Sequence, residues 1–497
     1  MTITLQHELD VVGADLTTGA GQRFAHLDYA ATAPCVRAAA DAVADLLPRY
    51  GSVHRGAGVR SQTSTLAYEH ARAVVAGFVG ARAGDAVVFT RNTTDALNLL
   101  ARALPPGTTT IVFDGEHHAN LLPWPRQLRL ATPRSPDEAV AAAEEALRGV
   151  RGPAVLAVTG ASNVTGEVWP VRRLADVAHA YGARIVVDAA QLAPHAPVDL
   201  TALGADYLAF SGHKLYAPFG AGVLAGRADW LDAAPPYLSG GGASAAVGAG
   251  PGDVVWATGP ARHEGGTPNL LGAVSLAAVC AALTRADREA LHEREQRLLS
   301  RLREGLSAVP GVVEVGCFGA DHPRVGIVSL ALPGHDPAVV AARLAEEYAI
   351  GVRAGQFCAH PLTRHLTGAT TVAGCGAGAG ADATRSATRS AGAGAGAGAG
   401  ADADADADAG ATHSAGAPTR GGTPTRGGAT RSAGAATRAG GTTLTGATTR
   451  AGATTLTGAT TLAGGGGGGA SLLRASFGLG TPDEDIDRLV AALAALT

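Results

Sequence analysis

The stretch RIVVDAAQLAPHAPVDLTALGADYLAFSGHKLYAPFGAGVL, residues 184–224, sets the reading of the fold. It holds two short runs, RIVVDAA at 184–190 and DYLAF at 206–210, that are apolar at successive positions instead of alternating. Similar runs precede them: AVVFT at 86–90, TIVFD at 110–114 and AVLAVTG at 154–160, with helical stretches between. Strands apolar on both faces and separated by helices indicate a mostly parallel sheet covered on both sides. Residues 25–285 therefore read as a large α/β domain. Polar residues follow several of the strands, where open α/β sheets place their ligands.

Outward from this core the pattern changes twice. From about 286 the charged helical stretch REALHEREQRLLSRLREGL leads into VVEVG, RVGIVSLAL and the helix PAVVAARLAEEY. These segments, with 1–24 and 471–497, are expected to form a smaller α+β domain. Between 368 and 470 lies an insert of Ala, Gly, Thr and Arg, with GAGAGAGAGA, DADADADA and PTRGGTPTRGG. It has too few large apolar side chains to offset its ordering entropy, so disorder is expected there. The chain then turns globular again, with SLLRASFGLG as a strand and PDEDIDRLVAALAAL as a last helix.

Charge and cysteine usage narrow the function. Lys and Arg total 39 against 43 Asp and Glu, a formal charge of −4. No basic footprint for nucleic acid or a membrane surface is present, and a small-molecule substrate fits better. The opening MTITLQHELD lacks a basic n-region and an apolar h-region, and no apolar run approaches the ~20 residues of a bilayer span. A cytoplasmic protein is expected. The five cysteines, at 35, 280, 317, 358 and 375, show no CxxC spacing and suggest no metal site. Cys35, Cys280 and Cys317 read as small buried hydrophobes, and Cys375 as an exposed thiol without a role.

Lysine has almost vanished in favour of arginine, and Lys214 is the only one in the chain. Arginine replaces lysine wherever charge alone is needed, but a guanidinium that stays protonated cannot attack an aldehyde to form a Schiff base. The surviving lysine thus points to amine chemistry. Asp188 ends an apolar strand with Gln191 three residues on, and its carboxylate could keep a pyridinium nitrogen protonated.

These motifs, together with HLDYAATAP at 26–34, GSVHRGAG at 51–58, FTRNTTDALN at 89–98, EHHANLLPW at 116–124, SNVTGEV at 162–168, HEGGTPN at 263–269, VRAGQFCAHPL at 352–362 and LLRASFGLGTPDEDIDRLV at 472–490, span nearly the whole chain outside the insert. The sequence resembles the class V aminotransferase-fold enzymes that use pyridoxal 5′-phosphate (PLP), and among them the SufS-like cysteine desulfurases. The resemblance implies the PLP-dependent transferase type I fold and a homodimer. It implies that Lys214 binds PLP covalently, Asp188 pairs with the ring nitrogen, Gln191 and Asn163 lie near the ring, and His117 stacks on it. Thr93, Thr94, Ser211 and His213 would hold the phosphate, with Thr267 reaching the partner's phosphate across the dimer.

Arg353 and Arg474 match positions that bind the substrate carboxylate, and Cys358 matches the thiol that accepts sulfur. The implied reaction converts L-cysteine to L-alanine with sulfur left as a Cys358 persulfide, for delivery to an acceptor protein. Selenocysteine lyase, C–S lyase, epimerase and aminotransferase activities on the same fold stay open at this point, as does a non-catalytic scaffold. The chain departs from the family pattern at Phe357, where a histidine commonly precedes the cysteine.

Overall fold

The computed structural model describes residues 7–374 and 470–497. Most of the insert, with Cys375, lies outside the described residues. The central sheet has seven strands: β1 (Asp85–Thr90), β2 (Thr109–Phe113), β3 (Gln127–Leu130), β4 (Ala154–Thr159), β5 (Arg184–Asp188), β6 (Tyr207–Ser211) and β7 (Gly222–Arg227). Their order across the sheet is β1-β7-β6-β5-β4-β2-β3. From β6 to β3 every pair is parallel, and β7 alone runs antiparallel to both its neighbours.

All five runs read from the sequence are strands of this sheet. Their side chains are buried on both faces, Leu156, Val158 and Phe210 among them, and helices cover each side. The expected α/β sheet is therefore present. Two strands were not read. β3 is an edge strand whose Leu128 and Arg129 are exposed, and β7 carries two glycines. A Cβ on Gly222 would lie 2.5 Å from Asn92 Cα, and one on Gly226, at φ +146°, would lie 2.1 Å from the Asp206 carbonyl oxygen. β7 needs those glycines to fit between β1 and β6.

A second sheet of four strands, β8 (Val313–Glu314), β9 (Ile327–Ala331), β10 (Arg353–Gly355) and β11 (Leu472–Ser476), is antiparallel throughout, in the order β8-β9-β11-β10. The helices Arg288–Ser307, Pro337–Tyr348 and Asp483–Leu496 cover it, burying Leu302, Leu344 and Leu489 in a core of their own. The chain before the large sheet joins this region, with Ala25–His26 pairing in parallel with Ile350–Gly351.

After β10 the helix His360–Gly374 runs on past the boundary expected at 367. Leu362 and Leu366 anchor its first turns in a small core with Ala359 and Leu472. Once such turns are nucleated, each further residue adds a backbone hydrogen bond at little cost. Among the described residues no single helix is long and apolar enough to cross a membrane.

Candidate active site

The polar residues at the carboxyl ends of the parallel strands converge on one cavity of about 370 Å³. Thr159, Asp188 and Ser211 end β4, β5 and β6, and His117 stands in the turn after β2. Asn92, Thr93 and Thr94 open the helix Thr93–Ala103 after β1, and all of these line the cavity. Asn163, Gln191, His213, Lys214, Arg353, Cys358 and Arg474 complete the wall. Of the residues singled out in the sequence, only Thr267 stands elsewhere, on a separate cavity of about 450 Å³ with His54, Arg55 and Glu264.

The Lys214 turn is held by its backbone. Gly212 N donates to Ala221 O at 2.7 Å, and a Cβ on Gly212 would meet that oxygen at 2.9 Å. Leu215, Tyr216 and Ala217, all buried, anchor the far side of the turn. Burial pushes the Lys214 amine down to about 8, against the opposing pull of Asp188. Asp188 is buried and raised by desolvation, while its Oδ1 accepts from Ala190 N at 3.0 Å. Each charge lowers the cost of the other, as in any pair held out of water.

Two imidazoles stay neutral around this pair. Burial, then the Lys214 charge, takes His117 down to about 3. His117 Nδ1 accepts from Ala119 N at 3.1 Å, which assigns its proton to Nε2. His213, lowered to about 4 by burial, lies 3.1 Å through Nδ1 from Thr32 Oγ1. Gln191 donates to Ala30 O at 2.8 Å. Thr93 Oγ1 and Ser211 Oγ are buried with no hydrogen-bond partner, although both residues line the cavity. An unsatisfied buried hydroxyl costs about 1–3 kcal/mol, so this pair marks a place for a polar ligand group.

The opposite wall carries the cysteine. Phe357 and Cys358 both sit at positive φ, 50° and 53°, a conformation that side chains rarely adopt. Strain of this kind persists only where its surroundings fix it. Here Asn163 Nδ2 donates to Phe357 O and His118 N donates to Cys358 O, each at 2.8 Å. Cys358 is exposed, unlike buried Cys280 and half-buried Cys35 and Cys317. Burial raises the Cys317 thiol to about 12, so it is no nucleophile at neutral pH. The Phe357 ring lies 4.7 Å from Arg474 Cζ and packs against the positive charge.

Sequence reasoning assigned no role to Asp28, Thr32 or Glu116. Asp28 joins Arg353 and Arg474, and its only signal was its place in HLDYAATAP. Glu116, one residue before His117, is buried and bonded to Asn120 Nδ2 at 2.9 Å and Thr159 N at 2.8 Å, and burial raises it to about 8.

A mostly parallel sheet whose carboxyl ends bring a lone lysine, a buried aspartate and two unpartnered hydroxyls to one cavity has the make-up of an α/β enzyme with amine chemistry and room for an anionic group. Residues 25–377 match the family described as aminotransferase class-V. A cysteine desulfurase of Klebsiella pneumoniae (strain 342) is 37% identical over 357 residues, spanning 69% of this chain and 86% of that protein. One of Dickeya dadantii (strain 3937) is also 37% identical, over 355 residues, 69% of this chain and 84% of its own. Among solved structures, the apo cysteine desulfurase of Thermococcus onnurineus NA1 superposes with a TM-score of 0.68 at 26% identity, covering 95% of this chain and 94% of that one. The cysteine desulfurase CsdA of Escherichia coli, seen as an S-sulfonic acid, gives 0.65 at 26% identity with the same coverage.

The chain belongs to the class-V aminotransferase family. The expected fold and the likeness to cysteine desulfurases are both borne out. Enzymes of this family are PLP-dependent, and the residues present fit that group: an amine below its usual pKa, a carboxylate for the pyridine nitrogen and unpartnered hydroxyls for the phosphate.

Proposed function

We propose that this protein is a PLP-dependent cysteine desulfurase that converts L-cysteine to L-alanine and leaves the sulfur as a persulfide on Cys358. The observation that carries the proposal is that the only lysine of the chain and an exposed cysteine in a strained loop line one cavity. Bound PLP supplies an electron sink for charge developing at the substrate α-carbon. Lys214 Nζ would hold the cofactor covalently and, as a free amine, would move the proton at the substrate α-carbon. Asp188 would keep a proton on the ring nitrogen, and Gln191, Asn163 and neutral His117 would hold the ring in the cavity that they line. Thr93, Thr94, Ser211 and His213 would hold the phosphate, for which the unpartnered Thr93 and Ser211 hydroxyls are available.

Arg353 and Arg474 fix the substrate carboxylate, which places the substrate sulfur before Cys358. The thiolate of Cys358 attacks that sulfur, a sulfur–sulfur bond forms, and the carbon–sulfur bond breaks with its electron pair passing to the β-carbon, which takes up a proton to become the methyl group of alanine. The persulfide then passes to a reductant or an acceptor protein. The protein works as a cytoplasmic homodimer, with Thr267 of each subunit directed to the other's cofactor phosphate. Exposed Val59 and Leu66, two helical turns apart, offer apolar surface for that association.

The test compares wild type with Cys358→Ala for alanine and sulfide release from L-cysteine. The variant is expected to keep the visible absorbance of the bound cofactor and lose both products. Unchanged turnover in the variant would replace the persulfide route with direct C–S lysis.

A further inference from the structure

Arg353 and Arg474 stand directly opposite each other across the antiparallel pair β10 and β11. Like charges facing one another across a ladder repel, and Arg474, 2% exposed, has almost no water to screen it. A carboxylate from a distant part of the chain lies between them. Asp28 Oδ1 accepts from Arg474 Nη2 at 3.2 Å, while Arg353 donates through Nε at 2.9 Å and through Nη2 at 2.8 Å to Asp28 Oδ2. The bridge between Asp28 and Ser476 delivers that carboxylate to the end of β11.

The rest of Arg474 is also tied. Nη1 donates to Asn163 O at 2.8 Å, and the Phe357 ring packs on the guanidinium. Nε is buried and has no partner, although the residue lines the cavity. The guanidinium is therefore fixed on three sides with a donor left unspent. Two guanidinium groups and one carboxylate leave the cluster with a single net positive charge, which one α-carboxylate neutralises.

We propose that Asp28 is the positioning residue of the substrate-carboxylate clamp, holding Arg474 in place and setting the charge of the arginine pair to match an amino acid with one carboxylate. This rests on the reading of the cavity as an amino-acid site. Asp28 acts through Arg353 and Arg474 and does not itself touch the substrate. Removing its carboxylate leaves two facing guanidinium groups without their shared counter-charge, and a buried ion that loses its partner loses its geometry.

Holoenzyme carrying Asp28→Ala or Asp28→Asn is assayed with L-cysteine and titrated with L-alanine, following the visible absorbance of the bound cofactor. Asp28→Ala is expected to raise KM for L-cysteine and Kd for L-alanine by about 10-fold or more, with a far smaller effect on kcat. Asp28→Asn, which keeps an acceptor without the charge, is expected to fall between the two and serves alone if the alanine variant does not fold. Unaltered cofactor absorbance excludes a general structural loss.

An unchanged KM would show that Arg474 holds its place without Asp28, and a lowered KM would make Asp28 a competitor for the arginines. Either result overturns the proposal, as does a fall in kcat matching the rise in KM. If wild type binds L-alanine but releases no sulfide from L-cysteine, the desulfurase reading falls. The alanine titration then decides the role of Asp28 by itself.

Discussion

A lysine amine must shed its proton before it can attack an aldehyde, and the surroundings of Lys214 bring its pKa down from 10.5 to about 8. At pH 7 roughly one such amine in ten is neutral, against fewer than about one in a thousand for an unperturbed lysine. Capture of PLP by the apoprotein is therefore expected to quicken as pH rises to about 8 and to level off above it. The measurement is the rate at which cofactor absorbance grows across a pH series. A rate still climbing steeply near the ordinary lysine pKa would contradict the assignment. Linkage has the matching sign: between about 8 and 10.5 the unfolded chain binds the proton that the folded one has lost, so Lys214 makes the apoprotein more stable as pH rises through that window. Lys214→Ala is expected to abolish covalent cofactor binding and to lower turnover by about 10⁴-fold or more, as loss of a group central to the chemistry does.

The SNVTG turn that bears Asn163 is pinned from below by a buried ion pair. Glu167 and Arg324 are almost wholly buried and 3.2 Å apart, and Glu167 also accepts from Thr165 Oγ1, Cys317 N and Phe318 N. Arg324→Ala leaves the carboxylate without its counter-charge and is expected to cost about 3–5 kcal/mol, read from denaturant unfolding of the apoprotein. A loss below about 1 kcal/mol would mean that the backbone donors alone satisfy Glu167. Nothing in the sequence showed this pair, because its members are far apart and each looks like an ordinary surface charge. The strands of the large sheet were legible for the opposite reason: burial on both faces writes itself as a continuous apolar run. β7 escaped because its glycines answer to backbone neighbours, and β3 because an edge strand keeps polar side chains. At the site, Lys214 stood out by composition. The shared contact of Asp28 with two arginines depends on distant segments meeting, which spacing along the chain does not record.

Assembly is where the molecule as a whole bears on the chemistry. Thr267 lies on a cavity apart from Lys214, yet family resemblance directs it to the partner's phosphate. Near it, Leu238 adjoins Gly265 and is 52% exposed, and Val247 and Val255 on the neighbouring hairpin are 68% and 60% exposed. Apolar surface of this extent is stabilised by association, so the protein is expected to sediment as a dimer. Thr267→Ala removes one hydroxyl from the phosphate and is expected to weaken cofactor binding by about 10- to 100-fold, the worth of one hydrogen bond to a charged group. Subunit mixing tests whether that hydroxyl acts across the interface. In a dimer pairing Lys214→Ala with Thr267→Ala, one site lacks both groups, while the other has its own Lys214 and receives an intact Thr267 from its partner. At cofactor concentrations where each variant alone is nearly inactive, co-refolded mixtures should regain activity, to about a quarter of wild type if subunits pair at random. If Thr267 serves its own subunit instead, every site in the mixture carries one lesion and no activity returns.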